Sequence, residues 1–136
     1  MSNLIGCIAD QTPAAQTLLT HMLSTCHSLQ QVTDIKSLQN IDIVIVLGGD
    51  GFMLHSLHKF MDADVKFYGI NAGSVGFLMN DIRDDNLQER LAKASLTTLF
   101  PLQMHATRSN GEEVSFLAIN EVSLVRQSIF ATHIRI

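Results

Sequence analysis

The sequence has few of the residues that mark several common classes of protein. Tryptophan is absent, and the chain contains only two cysteines, two prolines and one tyrosine. Cys7 and Cys26 lie far apart and match no spacing of a disulfide framework, a metal site or a redox pair. We therefore interpret them as buried or unreactive thiols.

Basic residues are also scarce. Nine Lys and Arg against 13 Asp and Glu give a formal net charge of −4, and the basic residues form no stripe that would suit a nucleic acid. The longest apolar runs have the length of strands, and no charged-then-apolar leader is present, so neither a membrane span nor a signal peptide is predicted. We expect a cytoplasmic protein that binds neither nucleic acid nor membranes.

One stretch organises the chain: the apolar run Ile41–Leu47, which ends in Gly48-Gly49-Asp50-Gly51. A run rich in Ile and Val is typical of a parallel strand buried on both faces, and the glycines predict the turn that follows it. Ligands bind beyond the carboxyl ends of such strands in open α/β sheets. Asp50 is therefore the first candidate for chemistry.

Strands and helices alternate on both sides of this stretch, as in βαβ units. The predicted elements are a strand at Leu4–Ile8, a helix capped by Thr12 with Pro13 in its first turn, a weak strand around Val32 and Ile35, a helix whose face includes Met53 and Leu57, a strand at Val65–Ile70 and a helix from about Asp84.

From Leu99 the apolar residues alternate with period two, which predicts an antiparallel strand. Asn110-Gly111 is a strong hairpin turn signal, and 114–119 supplies the returning strand. Residues 132–136 have the pattern of another strand beginning. We expect an α/β nucleotide-binding domain over 1–98 and the start of an incomplete β-rich second domain over 99–136.

The glycine turn lacks the lysine of a P-loop and the spacing of a dinucleotide-binding fingerprint. Its glycines would let backbone N–H groups approach phosphate oxygens closely, at the start of the next helix. Asp50 would repel phosphate unless it accepts a proton from an attacking hydroxyl or helps to hold Mg²⁺. The alternative is structural: Asp50 merely caps a helix beginning at Phe52.

Three other features have both a functional and a structural interpretation. The loop 71–78 would place the Phe77 ring against a bound base, or Phe77 would simply belong to the core. Asn120 and Glu121 would hold ribose hydroxyls or form an ordinary polar turn. His55 and His58 are three residues apart on a helix but have no third metal ligand in view, so we expect surface histidines there and name no metal site.

Together, three motifs resemble those of NAD kinases in order and spacing: the GGDG element at 48–51, the segment YGINAGSVGFL at 68–78, and AINEV at 118–122. GGDG by itself also occurs in diacylglycerol and sphingosine kinases, so a lipid kinase is one alternative and a non-catalytic nucleotide-binding module is another. The glycine loop and the Asn-Glu pair favour NAD kinase. The resemblance implies an α/β fold, a Rossmann-like parallel sheet with flanking helices, followed by a β-hairpin that begins a truncated second domain.

The resemblance also implies substrates and roles. NAD would be phosphorylated on the 2′-hydroxyl of its adenosine ribose by ATP or another phosphoryl donor with Mg²⁺ or another divalent cation, and the complete protein would be a homo-oligomer. Phe52 replaces the threonine that most often follows GGDG in the family, which removes a hydroxyl near the phosphates. Asp50 would be the general base, and the implied nucleotide-binding residues are Gly48, Gly49, Gly51, Phe52, Asn71, Phe77, Asn120 and Glu121.

Overall fold

The computed structural model describes residues 4–73, 76–83 and 86–127, together with 129, 131, 133 and 135. The chain divides into two compact units, residues 1–97 and 98–136. Within the described part of the chain, every helix is too short or too polar to cross a membrane.

The first unit alternates strands and helices. Its elements are β1 (Leu4–Ala9), α1 (Pro13–Thr25), β2 (Leu29–Gln31), a 3₁₀ turn (Ile35–Leu38), β3 (Ile41–Gly48), α2 (Asp50–Lys59), β4 (Lys66–Asn71) and α3 (Leu87–Lys93).

The four strands form one parallel sheet in the order β2-β1-β3-β4. The chain runs outward from β1 to β2, returns to β3 beside β1, and continues outward to β4 on the other side. Strand order therefore reverses between β1 and β3, and the carboxyl ends of these two strands border the crevice where ligands bind in such sheets. The predicted parallel sheet with flanking helices is confirmed.

β3 is the centre of the unit and is buried on both faces. Ile45 and Leu47 belong to an apolar cluster on the face covered by α1, whereas Val44 and Val46 belong to a cluster on the face covered by α2. All four side chains are fully buried. Burial on both faces explains why the strand is a continuous apolar run and not an alternating one.

α1 begins as its sequence predicts. Thr12 is the N-cap, and its Oγ1 accepts a hydrogen bond from the N–H of Ala15 at 3.4 Å, while Pro13 occupies the first helical position. Ala15, Leu19 and Met22 are buried against the sheet.

The weak strand predicted around Val32 and Ile35 is wrong in its position. β2 is only three residues long and ends before Val32, and Ile35 lies in the 3₁₀ turn, where its side chain is 54% exposed. A capping box explains the difference: the Asp34 carboxylate accepts the N–H of Ser37, and the Ser37 hydroxyl accepts the N–H of Asp34. This reciprocal pair favours a helical turn over a strand.

Two predicted element starts also shift. α3 begins at Leu87 and not at about Asp84, because the Asn86 side chain caps it by accepting the N–H of Gln88 at 3.0 Å; Asp84 and Asp85 lie outside the described residues. The strand predicted from Leu99 begins at Leu102, after Pro101, which has no N–H to donate to a ladder.

The second unit contains one antiparallel hairpin, β5 (Leu102–Thr107) and β6 (Glu113–Ala118). Its turn is closed by hydrogen bonds from the N–H of Arg108 to the Glu112 carbonyl and from the N–H of Gly111 to the Arg108 carbonyl. Gly111 has a φ of +83°, a conformation that glycine adopts without strain. The predicted hairpin and its Asn110-Gly111 turn are confirmed.

One face of this hairpin is apolar throughout. The pairing sets three cross-strand pairs on that face: Leu102 with Ala118, Met104 with Phe116, and Ala106 with Val114. Leu102 is 51% exposed and Phe116 is 59% exposed, and no described residue of the second unit is buried. The last predicted strand, at 132–136, includes Thr132, Ile134 and Ile136, which lie outside the described residues.

Candidate functional site

The carboxyl ends of β1, β3 and β4 meet at one edge of the sheet. The N–H of Asp10, just after β1, donates to the Leu47 carbonyl at 2.9 Å, and the N–H of Ala72, just after β4, donates to the Gly48 carbonyl at 3.0 Å. The glycine turn after β3 is therefore held from both sides. The two glycine-containing loops lie side by side, as expected from the parallel strands that precede them.

Asp50 is the first residue of α2, and its carboxylate is held by the other loop. Phe77 N–H donates to Oδ2 at 2.8 Å, and Leu78 N–H donates to Oδ1 at 2.9 Å. Gly49 is the N-cap of α2, and no side chain caps the helix. The alternative in which Asp50 caps a helix beginning at Phe52 is therefore wrong, because its oxygens are directed to residues 27 and 28 positions further along the chain.

The loop that reaches Asp50 is fixed at both of its ends. At its start, the Asn71 side-chain oxygen accepts the N–H of Gly73 at 2.9 Å. At its end, Asn80 pairs with β4, accepting the N–H of Asn71 at 2.8 Å and donating its own N–H to the Gly69 carbonyl at 2.9 Å. Ser74 and Val75, which belong to the predicted loop, lie outside the described residues.

The three glycines of the GGDG turn have different surroundings. A Cβ at Gly48 would lie 3.1 Å from the Cβ of Phe52 and 3.2 Å from that of Asp10, so this position is filled by protein. At Gly49 and Gly51 a Cβ would meet no atom of the described residues within 4 Å. Open space beside these two residues is compatible with the approach of a ligand to the backbone at the positive end of α2.

The two phenylalanines also differ. Phe52 is partly buried against the apolar cluster on the α2 face, and its ring is stacked on that of His55 at 6.4 Å between centroids. Phe77 is fully exposed. The structural interpretation of Phe77 as a core residue is therefore wrong, and its ring is accessible to a planar ligand.

Asn120 and Glu121 lie two and three residues beyond the end of β6 in the second unit. Both are exposed, and the Asn120 side-chain amide donates to the Glu121 carboxylate. The pair thus presents an amide oxygen and a carboxylate oxygen side by side, which are acceptors for hydroxyl groups.

A cavity of the first unit lies elsewhere. It has a volume of about 520 Å³ and lies between α1 and α3, with Ile5 and Ile70 of the sheet at its base. None of the GGDG residues and none of residues 76–78 line it. The carboxyl edge of the sheet is therefore identified by its side-chain chemistry and not by this cavity.

The surroundings of Cys7 raise the pKa of its thiol. Burial raises the pKa of its thiol to about 12, because a thiolate would be costly in the apolar interior beneath α1. Cys7 and Cys26 are both free thiols, and a neutral, buried Cys7 has no nucleophilic role.

Three residues at this edge of the sheet were not predicted from the sequence to belong to the site. Gly76 lies directly against the Asp50 carboxylate, Asn80 anchors the loop to β4, and Asp10 lies beside Gly48. Asp10 had a usable signal, since it follows a predicted strand whose end borders the crevice. Gly76 had one too, since it is a glycine of the predicted loop 71–78, although nothing local indicates its contact with Asp50. Asn80 had none.

Comparisons with known proteins agree with this arrangement. Residues 8–100 match the family model of the ATP-NAD kinase N-terminal domain. The NAD kinase of Zymomonas mobilis is 38% identical over 136 residues, covering 98% of this chain and 50% of that protein. The NAD kinase of Rhizobium meliloti is 48% identical over 95 residues, covering 70% of this chain and 37% of that protein.

The NAD kinase of Mesorhizobium japonicum is 52% identical over 94 residues, covering 69% of this chain and 37% of that protein. The chain thus spans half or less of the length of these relatives. The matched region contains the sheet, the GGDG turn and the loop that holds Asp50, and the chain belongs to the NAD kinase family.

Proposed function

We propose that this chain forms the amino-terminal part of an enzyme that transfers a phosphoryl group from ATP, or another phosphoryl donor, to the 2′-hydroxyl of the adenosine ribose of NAD, giving NADP. The observation that carries the proposal is the position of Asp50. Its carboxylate lies at the carboxyl edge of a parallel sheet, at the start of a helix, and is oriented by two backbone N–H groups from the adjacent loop.

In this mechanism Asp50 accepts the proton of the ribose hydroxyl as the new oxygen–phosphorus bond forms and the bond to the leaving ADP breaks. Such general-base assistance contributes roughly 10²–10⁴ in rate. Most of the remaining acceleration in phosphoryl transfer comes from positioning and charge neutralisation. The open backbone at Gly49 and Gly51 and the amino end of α2 supply donors for phosphate oxygens.

The remaining predicted residues fit supporting roles. The exposed ring of Phe77 stacks on the nucleotide, and Asn71 lies at the start of the loop beside the phosphates. Asn120 and Glu121 hold hydroxyl or amide groups of NAD. Phe52 packs beneath the turn and offers no hydroxyl to the phosphates, so its contribution is to support the backbone.

The residues present fit a Mg²⁺ ion that is bound together with ATP. Mg²⁺ is commonly held by one or two carboxylates plus substrate phosphates, and Asp50 is a carboxylate at the proposed phosphate site. When bound, the ion neutralises charge on the transferring phosphoryl group. We include it, or another divalent cation, as part of the proposal.

The second unit and the length of the relatives support the proposal that the active protein is larger than this chain. The apolar face of its hairpin is open, and the relatives are at least twice as long as the region they share with this chain. We propose that a further β-rich part completes the NAD pocket, that the complete protein is a cytoplasmic homo-oligomer, and that the present chain has little activity without that part.

The proposal can be tested by calorimetry and by an activity assay, both on a chimera that adds the further β-rich part. We expect NAD and ATP to bind, and we expect NADP formation when the chain is joined to the second half of the Zymomonas mobilis relative. Diacylglycerol that is phosphorylated in place of NAD would establish the lipid-kinase alternative. Binding without turnover in the chimera would indicate a non-catalytic nucleotide-binding module.

Asp50→Asn in the same chimera should lower NADP formation by roughly 10²-fold or more. Asparagine removes the proton acceptor but also places an N–H₂ group against the N–H donors of Phe77 and Leu78. The matched control is Asp42→Asn, which changes an exposed carboxylate near the start of β3, away from the carboxyl edge of the sheet. Undiminished activity of Asp50→Asn would remove Asp50 from the proposed role.

A further inference from the structure

We infer that Gly76, together with the N–H groups of Phe77 and Leu78, forms a socket that sets the orientation of the Asp50 carboxylate. Gly76 is then a positioning residue: it acts through Asp50 and touches no substrate. This inference rests on the proposed function, because orientation matters to catalysis only if Asp50 accepts the ribose proton.

The first observation is the pattern of donors. Two consecutive N–H groups bind the two oxygens of one carboxylate, at 2.8 Å and 2.9 Å. A pair of bonds to both oxygens fixes the plane of the carboxylate as well as its position, which a single bond would not do. Each carboxylate oxygen has a second lone-pair direction that remains for another donor, such as a hydroxyl group.

The second observation is the closeness of Gly76. A Cβ at this residue would overlap the Asp50 carboxylate, lying 2.8 Å from its Cγ and 3.1 Å from Oδ2. The side-chain space of Gly76 is thus occupied by the carboxylate. Gly73, in the same loop, has no atom of the described part of the chain within 4 Å of its Cβ position. Of these two glycines, only Gly76 would bring an added methyl group against the Asp50 carboxylate.

The third observation is the attachment of the loop. Ala72 N–H is bonded to the Gly48 carbonyl before the socket, and Asn80 is paired with β4 after it. These anchors belong to the same sheet that carries the GGDG turn. They oppose a shift of the whole loop that would otherwise relieve an added methyl group at Gly76.

Nuclear magnetic resonance of the full 136-residue chain tests the socket directly. Coupling across a hydrogen bond links an amide nitrogen to the Cγ of the accepting carboxylate. We expect such couplings from Phe77 and Leu78 to Asp50 in the native chain and in the control Gly73→Ala. Both couplings should be lost in Gly76→Ala, and Asp50→Ala supplies the blank. Couplings that persist in Gly76→Ala would overturn the inference.

A double-mutant cycle covers the possibility that Gly76→Ala fails to fold. Alone, this substitution should lower the Tm of the first unit by roughly 4 °C or more. In an Asp50→Ala background, where the carboxylate is absent, it should lower the Tm by about 1 °C or less. An equal loss in both backgrounds, or a double variant that does not fold although Asp50→Ala does, would overturn the inference.

Neither measurement uses NAD. Each can therefore contradict the inference about Gly76 without contradicting the proposed function. Loss of the couplings in Gly76→Ala without binding of NAD to the chimera would leave the socket as a structural feature with no catalytic purpose. Binding of NAD together with retained couplings in Gly76→Ala would leave the proposed function intact and remove Gly76 from it.

Discussion

The two units differ in how far their apolar side chains are buried. In the first, a central strand is covered on both faces by helices, and the side chains of Val44, Ile45, Val46 and Leu47 are fully buried. In the second, a two-stranded hairpin has one apolar face with nothing described as covering it, and Phe116 is 59% exposed. The first unit therefore has the layers of an independent domain, whereas a two-stranded hairpin is marginal by itself in water.

Hydrogen exchange should show the largest difference between the units. Amides in the middle of β3 open only when the first unit unfolds, whereas those of β5 and β6 open locally. With a global stability of about 5 kcal/mol or more, β3 amides should exchange roughly 10³-fold more slowly than hairpin amides. Exchange measured by NMR on the full chain tests this. Equal protection in both units would show that the hairpin does not open independently of the first unit.

Replacing phenylalanine by alanine should lower the unfolding free energy much more in the first unit than in the second. Phe60 is 1% exposed, within the cluster beneath α2, and Phe60→Ala should cost about 3–5 kcal/mol of unfolding free energy. Phe116→Ala should cost about 0.5 kcal/mol or less, as for a surface position. Urea denaturation followed by circular dichroism measures both. A cost above about 2 kcal/mol at Phe116 would mean that the hairpin face is buried in solution.

Elements with a clear local pattern could be predicted from the sequence, and elements without one could not. β3 was predictable because burial on both faces leaves a continuous apolar run, and α1 was predictable because Thr12 and Pro13 mark its start. β2 was not, because an edge strand of three residues has no detectable periodicity. The turn at Ile35–Leu38 had a local signal, the Asp34 and Ser37 pair, which the apolar pattern around it obscured.

The candidate site was only partly predictable for a related reason. Residue types and strand ends placed Asp50 and the second loop at one edge of the sheet. The bonds from Phe77 and Leu78 to Asp50 join residues 27 and 28 positions apart, and nothing local marks them. A carboxylate beside glycines predicts a helix cap as readily as a tertiary contact, so only the folded chain distinguishes the two.

Alkaline pH should weaken the first unit through Cys7. Its pKa in the folded chain is about 12, against an ordinary value of 9.0, so above pH 9 the unfolded chain loses the thiol proton while the folded chain keeps it. Stability from this group is complete below pH 9 and falls by about 1.4 kcal/mol per pH unit above it. Urea midpoints of the native chain and Cys7→Ala between pH 8 and pH 11 isolate the effect. Parallel pH dependence in the two would contradict it.

Gly111→Ala should have the smallest of these effects. Gly111 has a φ of +83°, where an alanine costs about 1–2 kcal/mol, and its Cβ would meet no atom within 4 Å, so conformational strain is the only penalty. If the hairpin unfolds independently, this cost falls on β5 and β6 alone. Their amides should exchange roughly 5–30-fold faster, while those of β3 and the urea midpoint of the first unit stay unchanged. A matching shift in the first unit would show that the two units unfold together, because a penalty confined to the turn would then have reached a sheet that the turn does not belong to.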